Sequence, residues 1–146
     1  MQTDSLRVSE NEQRVLSLLE AFAQSAEAVV AHFHAEAVIE FPYAHALGTP
    51  GRLTLSQYRS YLTNALAQMS DLRFSGIQTF QATDPHVCFA EFHGHVPLPA
   101  GDYHQDYVVR ATFREGKIIH YREYWNPVAG KAFGDAEATR NIFKHD

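Results

Sequence analysis

The hydrophobic period of this chain changes at Asp71, and that change restricts its fold more than any other feature of the sequence. Beyond Asp71 apolar and polar residues alternate, and runs near 72–82, 86–97, 103–114 and 117–126 read as four consecutive strands. Asp84-Pro85 and Arg114-Glu115-Gly116-Lys117 are tight connections of the hairpin kind, whereas the stretch over 97–102, Pro-Leu-Pro-Ala-Gly-Asp, is a looser one. Strands in such succession imply an antiparallel meander. A meander with an apolar face must bury that face against other elements.

Those elements lie upstream. Val15, Leu18, Leu19 and Phe22 follow the three-and-four spacing of a helical face, and Ser9, Glu10 and Glu12 suit its start, so the spacing predicts a helix near 9–23. A second short stripe runs through Ala26, Val29, Val30 and Phe33, with Ser25 as its N-cap. Residues 37–43, Ala-Val-Ile-Glu-Phe-Pro-Tyr, read as a strand ended by Pro42, and the turn-rich Gly48-Thr49-Pro50-Gly51 follows as a loop. Thr54 opens a third helix whose broad face carries Tyr58, Tyr61, Leu62, Ala65, Leu66 and Met69, ending before Asp71. The tail contains a short helix over Asp135–Phe143. The expected fold is α+β, N-terminal helices packed on a curved, mostly antiparallel sheet, as one domain over residues 1–146. A strongly bent sheet wrapped on helices leaves a conical cavity, a natural site for a small molecule.

Composition removes several function classes. Twelve Lys and Arg against 17 Asp and Glu leave a net charge of -5, so there is no basic excess for a nucleic-acid partner. The single cysteine, Cys88, excludes an intramolecular disulfide framework and any multi-cysteine zinc site, and between Val87 and Phe89 it reads as a core thiol. No apolar run is long enough for a transmembrane helix, and the polar, acidic start lacks a stretch of signal-peptide type. A cytoplasmic protein with no membrane partner is the expectation. No glycine-rich phosphate cradle is present.

Strand alternation places Ile119, Tyr121, Glu123 and Trp125 on one face of the last strand and Ile118, His120, Arg122 and Tyr124 on the other. The first set is the more apolar and is taken to face the cavity. A carboxylate among such rings is desolvated, which raises its pKa toward the range useful for proton transfer, so Glu123 is the expected catalytic acid/base. Phe89, Glu91, His93 and His95 also share a face, opposite Cys88, Ala90 and Phe92. If that face points inward, Glu91 and His93 add an acid/base pair to Glu123; if outward, they lie on the sheet surface. Tyr61 and Tyr107 are candidate donors to a substrate oxygen, Tyr58, Tyr121, Trp125 and Phe41 further substrate contacts, and Glu40 a weaker candidate acid. Two His-x-His strings raise metal binding. His32 and His34 sit at a helix end, where residues two apart do not share a face. His93 and His95 do share one, but a cupin-type site would want an all-β double sheet with a further Glu and His at set spacing, and this chain opens with helices. No metal and no cofactor are expected.

The order of elements, together with Val38-Ile39-Glu40-Phe41-Pro42-Tyr43, Gly48-Thr49-Pro50-Gly51, Arg114-Glu115-Gly116-Lys117-Ile118-Ile119 and Tyr121-Arg122-Glu123-Tyr124-Trp125-Asn126-Pro127, resembles the nuclear-transport-factor-2-like (NTF2-like) superfamily, in its SnoaL-like polyketide-cyclase and ketosteroid-isomerase branch. The resemblance spans about residues 10–134 and implies a cystatin-like cone. From Gly76 to Pro127 the chain looks closer to the phenazine-biosynthesis A and B proteins, dimers that promote condensation of two amino-ketone acids, and their pocket carboxylate falls on Glu123. The helix histidine and serine of that pocket fall on Tyr61 and Ala65, and the two pocket acids of the ketosteroid isomerases fall on Phe41 and about Val109, so steroid isomerisation is not implied.

Together these readings predict cofactor-free acid/base chemistry on a small apolar or carbonyl-containing metabolite, by cyclisation, isomerisation, dehydration or imine condensation. The alternative is a ligand-binding or accessory module that has kept the cavity without the chemistry, favoured by Tyr61 and Ala65. A homodimer is expected through the outer sheet face near His120, Arg122 and Tyr124, because a broad aromatic-bearing face needs cover.

Overall fold

Helix α1 (Glu10–Ala21) starts in a capping box: the Ser9 hydroxyl accepts from the Glu12 amide and the Glu12 carboxylate accepts from the Ser9 amide. Its apolar stripe buries Val15, Leu18 and Leu19. The computed structural model describes residues 8–133, 137 and 141–143. Helix α2 (Ala26–Val30) is capped by Ser25 and stops earlier than its apolar stripe suggests, because Phe33 already belongs to strand β1 (Phe33–Glu40). Strand β2 (Arg52–Thr54), between the loop expected over 48–51 and the third helix, has three residues, too few for alternation to declare it. Helix α3 (Leu55–Gln68) begins in a second capping box, Thr54 with Gln57. The meander follows as β3 (Arg73–Gln81), β4 (Val87–Val96), β5 (Tyr103–Arg114) and β6 (Lys117–Tyr124).

All six strands form one sheet in the order β2-β1-β6-β5-β4-β3, antiparallel throughout except where β1 runs parallel to β6. The turn from β5 to β6 needs positive φ at both central residues, which Glu115 (52°) and Gly116 (79°) adopt. Helix α1 lies against β3 and β4, and α3 against β1 and β2. The inner sheet face is therefore covered by helices and supplies the core: Cys88, Ala90 and Phe92 from β4, Val109, Ala111 and Phe113 from β5, Tyr121 from β6.

One facing differs from simple alternation. The β5–β6 register shifts between Thr112 and Phe113, so that Phe113 pairs Ile118 while Thr112 pairs His120. The bulge turns Ile118 inward, where it is 1% exposed, and leaves Tyr121 and Glu123 on the inner side. A short 3-10 stretch, Pro127–Phe133, follows β6. The tail helix expected over Asp135–Phe143 lies largely outside the described residues. No helix among the described residues is long and apolar enough to cross a membrane.

Candidate active site

Between the inner face of β5 and β6, helix α3 and the stretch after β6 lies a cavity of about 80 Å³. Tyr61 and Ala65, one helical turn apart on α3, form one wall; Tyr103, Gln105 and Tyr107, at the period-two spacing of β5, form another. Trp125, Phe133 and Phe143 close it, and Glu123 projects into it from β6. A smaller lobe of about 30 Å³ shares Tyr61, Ala65, Met69, Tyr107 and Glu123 and is bounded by Tyr58. Glu123 sits where the two lobes meet.

The Glu123 carboxyl is half-buried in surface terms, and the space it faces is this cavity. Removal from bulk water pushes it from the ordinary value of 4.5 up to about 7; a long contact from the Tyr121 hydroxyl, 3.5 Å from Oε1, works weakly in the opposite direction. No ion pair reaches Glu123 among the described side chains. Burial also raises the pKa of the Tyr61, Tyr103, Tyr107 and Tyr121 phenols, which stay protonated and able to donate. The Tyr103 and Tyr107 hydroxyls lie 3.3 Å apart.

The raised carboxyl has a consequence for stability. Below about pH 4.5 Glu123 is protonated in both folded and unfolded chains and costs nothing; between 4.5 and 7 the unfolded chain releases its proton first, and above about 7 the folded chain carries the whole penalty. That penalty is roughly 1–3 kcal/mol once screening at the cavity is allowed for. Glu123→Gln should therefore gain several degrees in melting temperature relative to wild type at pH 8, and the gain should vanish below pH 4.5. Thermal melts at the two pH values check this, and a pH-independent difference would refute it.

The structure brings together some of the residues singled out in the sequence and separates others. Glu123, Tyr61, Tyr107 and Trp125 line the main cavity, and Tyr58 bounds the smaller lobe. Tyr121 and Phe41, 0% and 1% exposed, are core residues behind the lining. Glu91 and His93 point the other way: the small and apolar side chains of Cys88, Ala90 and Phe92 take the inner face of β4, which turns Glu91 and His93 outward and apart from Glu123. His93 instead meets Asp106 and His104. Glu40 is also on the outer side. It is paired with His120 through a short contact, with Arg122 Nε at 3.4 Å without hydrogen-bond geometry, and with Arg52 at 3.8 Å. The hydrogen bond from His120 is the main influence holding its carboxyl below the usual range.

Gln105 and Gly94 are additional site residues. The Gln105 amide donates to the Asn126 carbonyl at 2.8 Å and accepts from the Asn126 amide at 2.7 Å, which pins the chain after β6 against the cavity wall. Its period-two place beside Tyr103 and Tyr107 was a usable signal. A Cβ at Gly94 would stand 2.8 Å from Tyr107 Cε2, so the glycine admits the ring that lines the site; an isolated glycine within a strand is the mark of such close approach.

The fold and this pocket define the class. Residues 15–121 match the SnoaL-like domain family, and the chain belongs to that family, within the NTF2-like superfamily. The uncharacterized PhzA/B-like protein PA3332 of Pseudomonas aeruginosa is 34% identical over 116 residues, which is 75% of this chain and 79% of that protein. Two solved structures share the fold. A phenazine biosynthesis-related protein, phzb2, from Pseudomonas aeruginosa superposes with a TM-score of 0.71 at 19% identity, covering 84% of this chain and 78% of its own. BvnE pinacolase from Penicillium brevicompactum gives 0.73 at 20% identity, covering 90% and 98%.

Proposed function

We propose that this protein is an enzyme that moves a proton on a small, partly apolar, carbonyl-containing metabolite, without a cofactor, and that Glu123 is the acid/base. The observation that carries this reading is a carboxyl placed inside an aromatic cavity with no basic partner among the described side chains, where removal from water pushes its pKa up to about 7. A group with that pKa can both take and return a proton at neutral pH, which cyclisation, isomerisation, dehydration and imine condensation all require next to a carbonyl. Tyr61 and Tyr107 are the donors that would hold the substrate oxygen, being protonated phenols on two walls of the same space. The largely aromatic lining limits water around these groups, which strengthens their hydrogen bonds.

A binding module without chemistry is the second reading, and one observation favours it: Tyr61 and Ala65 stand where the phenazine proteins are expected to carry histidine and serine. One experiment separates the two. The molecule retained by the purified protein is identified by native mass spectrometry, and related carbonyl compounds are then incubated with wild type and followed by chromatography. Conversion supports the enzyme; tight binding of an unchanged ligand supports the module.

The outer face is the proposed homodimer surface. Tyr43, 47% exposed, packs edge-on to Tyr124, Arg122 lies over the Tyr124 ring at 5.4 Å, and a shallow depression there includes Val108, Trp125 and Pro127. Light scattering at micromolar concentration should give twice the chain mass, and a monomer would overturn the assignment.

A further inference from the structure

Read along one strand, His93 and His95 lack further ligands; the register of the sheet supplies them from the next. His95 of β4 pairs directly with His104 of β5, and His93 with Asp106, all on the outer face. Asp102 precedes β5 and reaches back to His95, its Oδ2 2.8 Å from His95 Nε2. One ligand atom from each of His95, Asp102 and His104 falls within 4.8 Å of the others. His93 Nε2 lies 3.1 Å from His104 Nδ1, and its Nδ1 lies 3.0 Å from Asp106.

We propose that His95, His104 and Asp102, with His93 as the fourth ligand, form a site for a zinc-class transition-metal dication on the outer face of the sheet. Two ligands bound at about 2.0–2.2 Å to one tetrahedral ion stand about 3.3 Å apart. The ligand atoms of His95, Asp102 and His104 are already grouped near that spacing, and rotation of the His95 and His104 rings, now stacked with centroids 4.5 Å apart, aims both nitrogens at one centre, with His93 following through its contact with His104. The chemistry also fits. Imidazole nitrogen selects zinc, nickel, copper or iron over the hard cations, and one carboxylate completes a common mixed set. Asp106 then acts from outside: by accepting from His93 Nδ1 it leaves Nε2 unprotonated toward the ion, the arrangement that orients many metal-bound histidines.

The test uses the full chain carrying no polyhistidine tag, titrated calorimetrically with Zn2+ and spectroscopically with Co2+, whose visible absorption reports tetrahedral coordination. One Zn2+ per chain is expected, with micromolar or tighter affinity. His95→Ala and His104→Ala should each weaken binding by about tenfold or more, whereas His34→Ala, in the other His-x-His string, should leave it unchanged. The ligand side chains are at least partly exposed, so both variants are expected to fold, and circular dichroism verifies it. The absence of saturable Zn2+ binding would overturn the proposal. So would binding weakened less than tenfold in either folded variant, or equally weakened by His34→Ala.

Discussion

Glu123→Gln will lower turnover by roughly 100-fold to 10,000-fold while keeping the fold and the affinity for ligand, the range expected when a general acid or base is removed. The amide matches the carboxyl in shape, and among the described side chains there is no ionic partner for the substitution to strand. What is lost is one titrating proton at the junction of the two lobes. The wild-type rate should carry an inflection near pH 7, where the carboxyl changes state, and the variant should lack it. Measuring kcat and the dissociation constant of the same carbonyl ligand in both proteins checks the split. Undiminished kcat in the variant would remove Glu123 from the chemistry, and parallel loss of affinity and rate would make it a binding residue.

The parts of this site that were legible in the sequence are those set by a local period. Tyr61, Ala65 and Met69 share a helical face, and Tyr103, Gln105 and Tyr107 alternate along an extended strand, so each wall could be read from spacing alone. Glu123 was legible for the same reason, since the β6 bulge falls before it, at the Phe113–Ile118 pairing. Ile118 lies at that bulge, and no glycine or proline in β6 announces the change, so its inward turn was hidden. The facing of Glu91 and His93 was decidable in principle, because Cys88, Ala90 and Phe92 form the smaller, more apolar set that a helix-covered face prefers. Cross-strand partners were not legible at all. That His95 meets His104 depends on how the 97–102 connection sets the register of β5 against β4, and two readings one residue apart are equally consistent with the residues themselves.

Phe41→Ala should cost about 3–5 kcal/mol of folding stability, the cost of deleting a fully buried aromatic side chain. The residue follows β1 directly, is 1% exposed, and its ring lies 5.4 Å from Tyr61, 6.0 Å from Trp125, 6.2 Å from Phe143 and 6.3 Å from Tyr58. Four rings from three parts of the chain thus lean on one side chain, and three of them, Tyr61, Trp125 and Phe143, face the cavity with Glu123. Its backbone amide donates to Gly51 at 2.9 Å, so the ring is held by the chain as well as by its neighbours and the void has little means to collapse. A domain of this size has about 5–15 kcal/mol in all, so the variant keeps a much reduced margin. Ligand affinity should fall with it even under conditions where the variant is folded, because Tyr61 and Trp125 lose the surface that orients them. Phe41→Leu, which retains most of the volume, should recover the larger share of both losses. Urea denaturation of the three proteins, with ligand titration in the folded baseline, gives both quantities. A loss below about 1 kcal/mol would mean that the aromatic wall is braced elsewhere, since so small a change belongs to surface positions or to sites that repack freely.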